Sequence, residues 1–154
     1  MLLYLTYALL AGSLFWDLRE RRIPNFLTFT GILVGLGLQT AIYGVDGLLG
    51  SFLGLGLGLL VLFPLFAVSK FGAGDVKLLA AIGALRGFQF LWRAALLGAV
   101  SGGFLALLAL AYHRELRYVT LGIITGGSYR SQRSYPYSPA IAMGVLLVDL
   151  GWLL

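Results

Sequence analysis

Six apolar stretches, at approximately 2–16, 25–43, 47–68, 76–92, 94–112 and 137–154, take up most of the chain. A helix needs about 20 apolar residues to cross the hydrocarbon core of a bilayer, with roughly 17 at the short end. Within lipid every backbone N–H and C=O must be paired internally, which restricts such segments to helices or closed barrels. Only 11% of the 154 residues are charged and 60% are hydrophobic, whereas soluble domains carry about 25% charged residues. A water-soluble chain of this length cannot enclose that much apolar surface. The expected fold is an all-α polytopic membrane protein of about six transmembrane helices, forming one membrane-embedded domain over residues 1–154. The fourth stretch, "VKLLAAIGALRGFQFLW", is short and carries Arg86, so a re-entrant segment and a count of four or five spans stay open. The first stretch has no positive residues ahead of its apolar run, unlike a cleaved signal peptide, and reads as a retained span.

Charge predicts the orientation. Nine of the eleven Lys and Arg residues fall in three segments on one side, 17–24, 69–77 and 113–136; Arg86 and Arg93 fall on the other. Positive loops face the cytoplasm, which puts both termini outside. The net charge of +5 is thus a topology signal and not a nucleic-acid face. The arginine-rich loop 113–134 reads as an anchor on anionic lipid. Glycine recurs at four-residue spacing in Gly50, Gly54 and Gly58, in Gly31 and Gly35, and in Gly98 and Gly102. That spacing lines up small residues on one helix face, where neighbouring backbones can approach closely.

Few residues are equipped for chemistry. There is no cysteine and one histidine, His113, which excludes thiol catalysis, disulfides and a Cys/His metal cluster. Among the six acidic residues, Asp17 and Asp75 stand at the same predicted membrane boundary, one ending the first stretch and one opening the fourth. Two local readings need no catalysis. Asp75 can cap the helix that follows it, and Asp17 can pair with Arg21 or Arg22. Ionisable groups near a bilayer are costly, however, and often mark function. Two close carboxylates share a proton, so that one draws a proton from an attacking water while the other protonates the substrate. Such a pair titrates as a unit, so neither member is singled out as the base. A small transporter using the aspartates as a proton or cation site, and a non-catalytic assembly subunit packing through its glycine faces, remain alternatives.

"DLRERRIPN" (Asp17 to Asn25), followed about 50 residues later by "GAGDVK" (Gly72 to Lys77), resembles the type IV prepilin peptidases, archaeal preflagellin peptidases included. The resemblance implies a GxGD-type intramembrane aspartyl protease bundle with Asp17 and Asp75 as the catalytic pair. It assigns supporting roles to Ile23, Pro24, Asn25, Gly72, Gly74 and Lys77. Lys77 reads either as an electrostatic partner of the pair or, slightly better, as an interfacial anchor. A third family element, Pro-aromatic-small-Pro, is matched by Pro136 and Pro139, with Ser138 in place of the usual glycine; this departure is expected to leave the catalytic groups untouched. The lack of cysteine points to the short, peptidase-only form, with no methyltransferase or zinc domain, no metal and no cofactor. The implied partners are prepilin-like or preflagellin-like membrane substrates and the lipid bilayer, with no nucleic acid; a homo-oligomer is left open. The implied location is the cytoplasmic (inner) membrane, as a multi-pass protein with its active site at the cytoplasmic face. Family substrates have basic leaders, which makes Glu20 and Glu115 candidate substrate contacts.

Overall fold

The computed structural model describes residues 1–20, 22–68, 73–112 and 138–151. They form α1 (Leu2–Glu20), α2 (Asn25–Val68), α3 (Ala73–Tyr112) and α4 (Ser138–Asp149), with no strand among the described residues. Two of these helices are interrupted. Gly44 (φ 62°, ψ −138°) and Gly87 (φ 79°, ψ 175°) adopt backbone angles that a residue with a Cβ resists. The chain doubles back at both. A Cβ on Gly47 would run into the Gln39 carbonyl, although eight residues of unbroken helix would separate them by about 12 Å. A Cβ on Gly83 would likewise lie 2.7 Å from Leu91 Cδ2. α2 is therefore a helical hairpin of segments 25–43 and 45–68, and α3 one of segments 73–86 and 88–112.

The close approaches give the topology. Gly31 and Gly35 meet Ala81 and Ala84, so segment 25–43 runs parallel to 73–86. Gly54 meets Gly83 and Gly58 meets Ala80, so segment 45–68 runs antiparallel to it. Gly98 and Gly144 set α4 antiparallel to 88–112, and Gly12 against Leu27 with Gly31 against Leu9 sets α1 antiparallel to 25–43. The outcome is an alternating bundle with segment 73–86 at its centre. Leu78, Ala81, Ile82, Ala84 and Leu85 are each 0–1% exposed, as expected for a helix that is apolar all round and enclosed on every side.

Small residues make that enclosure possible. A Cβ on Gly58 would sit 2.6 Å from Ala80 Cα, and one on Gly35 2.6 Å from the Ala84 carbonyl carbon. The glycine faces expected from the four-residue spacing are thus packing faces at Gly31, Gly35, Gly54, Gly58 and Gly98. Gly50 differs: nothing lies within 4 Å of a Cβ placed there. The turn at Gly87 also strands carbonyls that a continuous helix would satisfy. α2 supplies the donors, Gln39 Nε2 to the Leu85 carbonyl (2.9 Å) and Ser51 Oγ to the Ala84 carbonyl (2.6 Å), both buried.

The exterior is apolar. Leu33, Leu60 and Val100 are about 70% exposed, whereas Thr6, Ser13, Thr28, Gln39 and Ser51 are buried. Asn25–Val61 and Ala73–Leu105 are long and apolar enough to cross a membrane. An apolar surface of this extent is one that lipid covers, and it marks a membrane protein. One expected boundary is corrected. The fourth stretch ends at Arg86, before the Gly87 turn, and not near residue 92. Its 14 residues span roughly 21 Å. The apolar pattern continues through "FQFLW", so hydropathy alone conceals a turn made by backbone angle.

Two stability measurements follow for protein solubilised in detergent. Gly54→Val is expected to cost about 1–3 kcal/mol or more through overpacking, whereas Gly50→Ala is expected to leave the melting temperature unchanged or slightly raised. Gln39→Leu or Ser51→Ala, each leaving a buried carbonyl without its donor, is expected to cost about 1 kcal/mol. Equal melting temperatures for Gly54→Val and wild type would contradict the packing described.

Candidate active site

One face of α1 is buried at helical spacing: Thr6, Leu9, Leu10, Ser13 and Asp17. Asp17 is the last residue of that stripe, three residues before the helix ends, and is 8% exposed. Asp75 lies in the first turn of α3, at the start of the enclosed central segment, and is 7% exposed. The antiparallel and parallel pairings bring the end of α1, the start of α2 and the start of α3 to the same end of the bundle. There Asp17 and Asp75 line one cleft of roughly 580 Å³ with Glu20, Ile23, Asn25 and Lys77.

Contacts tie the two sequence motifs together. Ile23 is buried against Gly74: a Cβ on Gly74 would meet Ile23 Cβ at 3.1 Å. Lys77 Nζ donates to Asn25 Oδ1 at 2.9 Å. This bond staples the first turn of α3 to the start of α2, a contact that neither sequence-based role of Lys77 includes. Pro24, which accepts from Thr28 N at 3.5 Å through its carbonyl, also borders the cleft. Glu20 is exposed at the rim. Gly72, Glu115 and Pro136, and loop 113–134, lie outside the described residues. Pro139 is in the first turn of α4.

The capping reading of Asp75 fits poorly. α3 already begins at Ala73, and Asp75 Oδ1, although buried, has no hydrogen-bond partner among the described residues. Asp17 is held differently. Ser138 Oγ, 1% exposed at the start of α4, donates a hydrogen bond to Asp17 Oδ2. Sequence reasoning missed this contact, having taken the serine for a neutral departure from the motif. The signal was available, since a hydroxyl replacing hydrogen beside two prolines at a helix start must find a partner when buried.

A second cleft of similar size lies at the opposite end, bordered by Tyr43, Asp46 and Arg86. Its guanidinium is already engaged: Arg86 Nη2 pairs with Asp149 Oδ1 at 2.5 Å and Arg86 stacks 3.9 Å from the Phe90 ring. Tyr7 Oη donates to the other oxygen of Asp149 at 2.9 Å. Among the described residues there is no group of three or more His, Cys, Asp or Glu suited to a metal ion.

No curated protein and no solved structure matches the chain. Residues 3–107, which include both Asp17 and Asp75 and stop short of Ser138, match the model of a family of proteases. With that match covering well over half of its length, the chain belongs to the type IV leader peptidase family.

Proposed function

We propose that the protein is a membrane aspartic endopeptidase that removes the short cytoplasmic leader of prepilin-like or preflagellin-like substrates, with Asp17 and Asp75 as its catalytic pair. The observation that carries this reading is that both carboxylates line one cleft of a chain from a leader peptidase family. The reaction calls for one member of the pair ionised and the other protonated. Its ionised member takes a proton from water as the water oxygen attacks the scissile carbonyl carbon. The protonated member donates to the carbonyl oxygen, and the tetrahedral species then collapses as a proton passes to the leaving amine. Protons balance over the cycle, and no cofactor is consumed.

On this reading the six alternating helical segments are six membrane crossings of a single domain. The dyad end faces the cytoplasm, because the basic segments 17–24, 69–77 and 113–136 of the sequence connect the helix ends found there. The hydrophobic segment of the substrate lies along the apolar exterior while its basic leader reaches the cleft, where Glu20 meets it. Ile23, Asn25, Gly74 and Lys77 keep the start of α2 against the start of α3 and so fix the cleft wall.

Co-expression with a prepilin, followed by the gel shift of leader removal, tests the assignment. Asp17→Asn and Asp75→Asn are each expected to slow cleavage by ~10²–10⁴-fold; normal processing by both would end the protease reading. Lys77→Met, which cuts the staple to Asn25, is expected to cost about 1 kcal/mol of stability, read as a lower melting temperature, and to keep cleavage within ~5-fold of wild type. A loss as deep as that of the aspartate variants would instead place Lys77 in the chemistry.

A further inference from the structure

We propose that Ser138 is a positioning residue for Asp17, locking the carboxylate in the orientation that the catalytic pair requires. The inference rests on the dyad reading above and adds to it a residue from outside the family match.

Asp17 rides on α1, which touches the bundle along a narrow stripe, while Asp75 rides on the enclosed central segment. The separation of the pair therefore depends on what holds α1. α4 is the element suited to this. It is seated firmly on segment 88–112, where a Cβ on Gly144 would lie 2.6 Å from the Gly98 nitrogen and Ser101 Oγ reaches the Ala140 carbonyl at 3.3 Å. From that seat α4 grips α1 twice, through Asp149 to Tyr7 at one end and through Ser138 to Asp17 at the other.

The two grips differ in kind. The Tyr7 contact joins helices at the end remote from the cleft. The Ser138 contact is made to a reacting carboxylate itself: with Oδ2 engaged, the group cannot swing about its terminal torsion, and its other oxygen is left for the chemistry. A hydroxyl-to-carboxylate bond buried among apolar groups is among the stronger hydrogen bonds a protein makes. Displacing a catalytic group by about 1 Å costs ~10²-fold in rate.

The test is steady-state kinetics of the full-length protein in detergent on a purified prepilin, normalised to folded protein by its melting curve. Ser138→Ala and Ser138→Gly are expected to lower kcat by ~10–100-fold with KM within ~2-fold of wild type. Tyr7→Phe removes the other helix-to-helix grip and is expected to keep kcat within ~3-fold. Wild-type kcat in both Ser138 variants would overturn the inference. So would an equal loss in Tyr7→Phe, which would reduce Ser138 to a helix fastener. If Ala does not fold, Gly alone decides. Asp17→Asn, measured alongside, separates the two levels. If it is inactive while the Ser138 variants are normal, only the positioning role falls; if it is active, the dyad reading itself has failed.

Discussion

The contact between backbones around segment 73–86 is the constraint on which the rest depends. Glycines and alanines at Gly35, Gly54, Gly58, Ala80, Gly83 and Ala84 allow two α2 segments to close on this helix at distances no larger side chain permits. In lipid, helix association gains little from burying apolar surface, because the surroundings are as apolar as the interface. Dense backbone packing and a few internal hydrogen bonds must supply the cohesion instead. The helix so enclosed begins with Asp75. Its rigidity makes Asp75 the fixed reference of the site, against which Asp17 on the lightly attached α1 is placed.

Much of this was legible in the residues. Apolar runs and basic loops place the helical segments, and four-residue glycine spacing marks the faces that pack. Asp17 and Asp75 stand out because so little else in the chain can do chemistry, and the structure puts them in one cleft. What was hidden has common physical causes. Hydropathy is blind to backbone angle, so the turn at Gly87 looks like continuing helix. Gly50 shares its neighbours' spacing but not their contact, because a Cβ there would face open space where the second cleft lies. Side-chain to carbonyl bonds from Gln39 and Ser51 exist only because that turn frees acceptors, and no local pattern announces them.

Lys77 and Ser138 carry a related lesson. In the sequence Lys77 reads as an electrostatic partner of the aspartates or an interfacial anchor, and Ser138 as a neutral replacement for glycine. Each acts across the bundle, Lys77 on Asn25 and Ser138 on Asp17, at separations of 52 and 121 residues. Polar side chains in a bundle this apolar have few places to go. Where two of them meet, they define which helices are held together and at what depth.

The brevity of segment 73–86 is felt inside the bundle. Its roughly 21 Å of helix falls short of a hydrocarbon layer about 30 Å thick. Because its neighbours enclose it, lipid cannot adjust to the shortfall, and the space is left within the protein instead. A cleft borders each end of this helix, one at Ala73, Gly74 and Asp75 and the other at Arg86 and Gly87. A central helix too short to fill its layer thus leaves a hollow beside a buried carboxylate.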